Sequence, residues 1–178
     1  EDSKGNGKIL SKTKYDGSVN TTKTVINVDG NGKFTMESGE IYTSIDEDAE
    51  NKGNFAIGVW ADAEAVINGG KVTAGWFAVA TNGSDRGRSH IIVNGGELIS
   101  IADYAIYAAQ KQGSVQINGG TIYGYAGGIA MNGGNLEVND GVITSKGTGD
   151  TGTWGDGTGN LKNAAININA KYSNVMAN

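Results

Sequence analysis

The sequence predicts an all-β chain wound as a single-stranded parallel β-helix, a solenoid of about five coils with capped ends. Three observations carry that expectation. One short motif is written five times, a second motif recurs out of phase with it, and glycine supplies 30 of 178 residues while proline is absent. A period of this length marks a repeat architecture and is read before any single residue.

The first motif is Ile67-Asn68-Gly69-Gly70-Lys71-Val72, Val93-Asn94-Gly95-Gly96-Glu97-Leu98 and Ile117-Asn118-Gly119-Gly120-Thr121-Ile122. Looser copies are Met36-Glu37-Ser38-Gly39-Glu40-Ile41 and Val138-Asn139-Asp140-Gly141-Val142-Ile143. Gly39, Gly70, Gly96, Gly120 and Gly141 are separated by 31, 26, 24 and 21 residues. Glycine suits a corner that needs positive φ. The preceding Asn68, Asn94, Asn118 and Asn139 then fall at equivalent corners, where their amides are expected to form a hydrogen-bonded ladder.

The second motif is Phe55-Ala56-Ile57, Phe77-Ala78-Val79, Tyr104-Ala105-Ile106, Gly127-Gly128-Ile129 and Ala164-Ala165-Ile166. Each copy follows an Asn-Gly-Gly copy, so every period holds several short strands. Side chains alternate across a strand, which sets the register. Ile41, Val72, Leu98, Ile122 and Ile143 are expected to stack inward. So are Met36, Ile67, Val93, Ile117 and Val138, and on a third strand Ile57, Val79, Ile106, Ile129 and Ile166. The same alternation turns Ala56, Gly58, Ala78, Ala80, Ala105, Gly128 and Ala130 outward as a smooth floor.

One domain fits the length, with residues 1–31 as N-terminal cap and partial first coil and residues 32–178 as the repeat body. Five of the twelve lysines lie in the first 23 residues, which are expected to cover the first sheet edge. Excess length at residues 45–54 and 146–162 falls at one corner of two different periods, and residues 81–90 leave from another. The two same-corner insertions are expected to wall a trough over the small-residue floor.

Composition narrows function. A net charge of −5 argues against a nucleic-acid-binding surface, and no apolar run reaches the ~20 residues of a membrane span. Without cysteine there is neither disulfide nor thiolate metal site. Glu1 is not a native start, so the chain is expected to be part of a larger multidomain protein.

His90 is the one histidine and shares residues 81–90 with both arginines, Arg86 and Arg88. The group suits ligand contact better than catalysis. Glu40, Lys71 and Glu97 stand on one outward row and are expected to form a charge ladder rather than a catalytic carboxylate pair. No cofactor is called for. If a metal binds, the Asp-Gly-rich stretch holding Asp150 and Asp156 offers oxygens of the kind Ca²⁺ takes. Trp60, Trp76 and Tyr107 should point outward, as should Tyr42 and Tyr123 on a neighbouring face, and Trp154 belongs to the longest insertion. Outward aromatics are anchors for protein partners or sugar rings.

The Asn-Gly-Gly repeats with intervening Ala-Ile strands, from about residue 32 to 169, resemble the parallel β-helix domains of surface proteins of Gram-positive bacteria, especially clostridial and gut species. They are also similar to the Ca²⁺-binding polysaccharide-binding modules of cellulolytic clostridia. That second group carries acidic residues beside the third strand, a pattern that only Asp103 approaches here. The resemblance implies an extracellular or bacterial cell-surface location. The resulting expectation is a non-enzymatic binding module of a secreted or wall-attached protein, engaging a host protein such as an immunoglobulin or mucosal glycoprotein. Its ligand-binding residues would be Trp60, Trp76, Tyr107, Trp154, Arg86, Arg88 and His90. The alternative is a carbohydrate-binding module, and a polysaccharide lyase or hydrolase ranks below both.

Overall fold

Short strands dominate because β-branched residues alternate with polar ones over four to six positions and glycine turns interrupt each run. The computed structural model describes residues 5–11, 23–43, 54–81, 87–146, 164–169 and 176–177. Within them the strands are β1 (Lys8–Ser11), β2 (Lys23–Val28), β3 (Lys33–Met36), β4 (Glu40–Thr43), β5 (Asn54–Val59), β6 (Glu64–Ile67), β7 (Lys71–Ala74) and β8 (Val79–Ala80). They continue with β9 (His90–Val93), β10 (Glu97–Ser100), β11 (Tyr104–Ala108), β12 (Ser114–Gly124), β13 (Gly127–Met131), β14 (Asn135–Ser145), β15 (Ile166–Ile168) and β16 (Met176–Ala177).

All-β is right, but the expectation of a single-stranded parallel β-helix of about five coils is corrected. The strands hydrogen-bond into two parallel sheets with a half-barrel curl. Ten strands make the larger sheet, in the order β1-β4-β7-β10-β12-β9-β6-β3 with β14 beside β12 and β16 beside β14. Six make the smaller, in the order β15-β13-β11-β8-β5-β2. The physical reason lies at Gly119 and Gly120. There strand pairing continues from Ser114 to Gly124 although Gly120 turns at positive φ, so β12 bends through the corner instead of ending at it. Its first half pairs with β9 and its second with β10, which joins two arms into one curled sheet.

The register follows the motif. Ile41, Val72, Leu98, Ile122 and Ile143 are direct partners across β4, β7, β10, β12 and β14. Met36, Ile67, Val93, Ile117 and Val138 line up across β3, β6, β9, β12 and β14. Ile57, Val79, Ile106, Ile129 and Ile166 do so in the smaller sheet. Most of these side chains are fully buried and form the core between the sheets. Burying each isoleucine contributes roughly 2–3 kcal/mol.

The corner glycines have the left-handed conformation expected of them: φ is +84° at Gly70, +85° at Gly96 and +87° at Gly120. Stacking tightens the requirement. A Cβ on Gly96 would lie 2.6 Å from the carbonyl oxygen of Gly70, so strain and collision both exclude a side chain.

The asparagine ladder is present. Asn94 Nδ2 donates to Asn68 Oδ1 at 2.7 Å, Asn118 to Asn94 at 2.8 Å and Asn139 to Asn118 at 2.8 Å. It ends on a carboxylate, because Asn68 Nδ2 donates to Glu37 Oε1 at 2.9 Å and Glu37 occupies the asparagine position of the first copy. The charge ladder is present too, with Lys8 2.7 Å from Glu40 and Lys71 3.3 Å from Glu97. Lys8 reaches that row because β1 adds to the β4 edge.

Candidate functional site

The smaller sheet carries the aromatic residues. On its outer side, positions Asn27, Gly58, Ala80, Tyr107, Ala130 and Asn167 are partners from β2 to β15. The row is small in the middle, and large rings lie across it. Phe55, Phe77, Tyr104, Ala80, Ala126 and Ala130 form a second apolar cluster, with Trp60, Trp76 and Tyr107 packed against it half-buried. Gly58 is small for a definite reason. A Cβ there would lie 2.4 Å from Cζ2 of Trp60, so the indole lies over this glycine.

The rings form a connected strip. Phe55 sits 6.3 Å from Trp60, 5.4 Å from Trp76 and 5.0 Å from Phe77, centroid to centroid and tilted. Trp76 stacks on Phe77 at 4.6 Å, and Phe77 on Tyr107 at 4.9 Å. Such pairs add about 0.5–1.5 kcal/mol each beyond burial.

Polar partners pin the strip. Trp60 Nε1 donates to Asn27 Oδ1, and Trp76 Nε1 to Asp103 Oδ2. Asn132 Nδ2 donates to the Tyr107 hydroxyl oxygen at 3.0 Å. Asp103 also accepts from the backbone N–H of Tyr104 at 2.8 Å, while its own N–H donates to Ser100 Oγ. Burial pushes the Asp103 carboxyl up to about 6, although the hydrogen bonds from Trp76 and Tyr104 favour its ionised form. Burial, then the charge of Asp103, pushes the Tyr104 phenol up to about 12.

Trp60, Trp76 and Tyr107 are thus brought together against the second apolar cluster of the smaller sheet. The smooth floor is corrected. Ala56, Ala78 and Ala105 belong to the core between the sheets, and a Cβ on Gly128 would strike Ile143. Gly58, Ala80 and Ala130 do face outward but lie beneath the aromatic strip. The expected trough therefore has no open floor. Its walls, residues 45–54 and 146–162, lie almost wholly outside the described residues, as do Arg86, Trp154, Asp150 and Asp156.

Arg88 and His90 stand apart from the strip, on the approach to β9 and at its first residue in the larger sheet. Arg88 Nε donates to Gln112 Oε1 at 2.9 Å and its backbone N–H to Ala61 O at 2.8 Å. His90 Nδ1 lies 2.7 Å from Ser114 Oγ on the neighbouring strand. Glu64, the register partner of His90, is held by Lys33 at 3.0 Å. Glu40 and Glu97 each face a lysine.

The strip adds Phe55, Phe77, Asn27 and Asn132 to the candidate site residues and gives Asp103 a partner in Trp76. Phe55, Phe77 and Tyr104 share one position of the second motif, and that column was the available signal. Asn27 and Asn132 gave none, because their partners are 33 and 25 residues away, and Asp103 stood out only as an acidic residue beside the third strand, not as the partner of Trp76.

The chain matches no family model, no curated protein and no solved structure.

Proposed function

We propose that this chain is a non-enzymatic binding module of an exported bacterial surface protein, which engages a host protein through the aromatic strip on the smaller sheet. One observation carries the reading. Trp60, Trp76 and Tyr107 are half-exposed yet fixed in one connected stack, their polar atoms already hydrogen-bonded. A rigid aromatic surface loses little conformational entropy when a partner covers it, and tryptophan and tyrosine dominate the energetics of protein interfaces. The non-enzymatic reading is supported by the groups available for acid–base work. Glu40 and Glu97 are ion-paired, and His90 is hydrogen-bonded to a serine on an exposed strand face.

A carbohydrate ligand is the second reading, favoured by the Asp103 carboxylate beside Trp76, since aromatic faces with adjacent acceptors suit sugar rings. The test immobilises the chain against host secretions and, separately, a glycan array. Trp60→Ala and Trp76→Ala should each reduce binding at least tenfold while far-ultraviolet circular dichroism stays unchanged. A captured host protein supports the first reading, and array binding alone the second. Binding that survives both substitutions would remove the strip from consideration.

A further inference from the structure

The chain holds seven Asn-Gly pairs. In such a pair the glycine nitrogen can attack the side-chain carbonyl of the asparagine, because no side chain on the glycine blocks the approach. The fold treats the pairs unequally.

Three belong to the corner motif, at Asn68, Asn94 and Asn118. Each of these amides is held on both sides. Nδ2 donates to the preceding member of the ladder, and Oδ1 accepts from the next. At Gly95 the attacking group is held as well, its N–H donating to Ile67 O at 3.3 Å. Asn132 is buried, and its Nδ2 donates to the Tyr107 hydroxyl oxygen at 3.0 Å. Asn6 and Asn31 differ. Both are exposed, and among the described residues no hydrogen bond holds either side chain. Asn31 stands in the turn from Asp29 to Gly32, where the N–H of Gly32 donates to Asp29 O at 3.0 Å, a bond within the turn itself. A Cβ on the adjacent Gly30 would meet nothing within 4 Å, so this side of the turn is open to water. The remaining pair, Asn82-Gly83, lies outside the described residues.

We propose that Asn31 and Asn6 are sites at which the folded chain deamidates spontaneously, and that the ladder spares Asn68, Asn94 and Asn118. At Asn31 the Gly32 nitrogen bonds to Cγ, the Cγ–Nδ2 bond breaks, and ammonia leaves with the amide proton. Water then opens the five-membered imide at either carbonyl, leaving aspartate or isoaspartate. Each event adds one negative charge. The isoaspartate also lengthens the turn between β2 and β3 by one backbone carbon.

The test follows the mass of each Asn-Gly peptide, after proteolysis, in the whole chain kept folded or in guanidinium chloride at mildly alkaline pH. The unfolded chain supplies each pair's own reference rate. Folding should slow Asn68, Asn94 and Asn118 by about tenfold or more, because reaction then waits for local opening, and leave Asn6 and Asn31 within about threefold of their unfolded rates. Asn94→Ala takes away the neighbour shared by Asn68 and Asn118, so both should deamidate faster than in the unaltered chain. Asn139→Ala frees only the Oδ1 of Asn118 and should speed that site alone. Circular dichroism checks that each variant keeps its strands. A ladder asparagine that reacts as fast folded as unfolded would overturn the inference. So would protection of Asn6 or Asn31 equal to the ladder's, or an Asn118 rate that neither substitution changes.

Discussion

The indole N–H of Trp76 donates to the Asp103 carboxylate across 27 residues of sequence, tying the start of one period to the start of the next. This bond couples the aromatic strip to a buried titratable group, and that coupling has a measurable consequence.

Asp103 has its ordinary value of 3.8 raised to about 6 in the folded chain, chiefly by burial. Between those values the folded state binds more protons than the unfolded state, so stability falls as pH rises. The favourable contribution is complete below pH 3.8 and lost as pH passes through about 6. Two units correspond to at most about 3 kcal/mol. Asp103→Asn should flatten the fall between pH 4 and 6 and raise stability at pH 7. Its amide oxygen can still accept from Trp76. Urea unfolding across this range checks the slope, and an unchanged slope would assign it to other groups.

Trp76→Ala removes a ring that stacks on Phe77 and touches Phe55. Because the indole is half-exposed, we expect a loss of about 2 kcal/mol, below the 3–5 typical of a buried tryptophan. Trp76→Phe should restore most of it while lacking the bond to Asp103. Thermal unfolding of both variants measures the difference.

Gly58→Ala places a methyl group 2.4 Å from Trp60 and 2.8 Å from Thr24. The indole must move off the sheet, which we expect to cost about 1–3 kcal/mol. Its fluorescence should shift to the red as it gains water. A blue shift or no shift would show that the ring does not lie over Gly58.

Asn94 both donates to and accepts from the asparagine ladder, whereas Asn139 stands at its far end. Asn94→Ala should therefore cost more than Asn139→Ala, each in the range of about 0.5–2 kcal/mol. Gly96→Ala at the adjoining corner should cost more than either, because positive φ and the Gly70 carbonyl both oppose a Cβ. Chemical denaturation ranks the three.

Periodic features were legible in advance because they are local and repeated. The isoleucine and valine rows, the Asn68–Asn94–Asn118–Asn139 ladder and the Glu40–Lys71–Glu97 row all follow from alternation and a fixed spacing, and the register matches them. The aromatic site was half legible. Trp60, Trp76 and Tyr107 were found as outward residues, while Ala56, Ala78 and Ala105 were assigned to the wrong side, because a bend beside the second motif breaks strict alternation.

By itself the sequence determined that the chain is built of short strands, where its corners fall and which aliphatic side chains share a row, since these depend on glycine geometry and a period of two. Only the tertiary structure decided that β12 runs through its corner and merges two arms into one curled sheet, and that the rings close over Gly58 and Ala80 rather than leaving a floor open. Both outcomes depend on how neighbouring periods pack, as does the bond that makes a partner of Asp103. No single repeat carries that information.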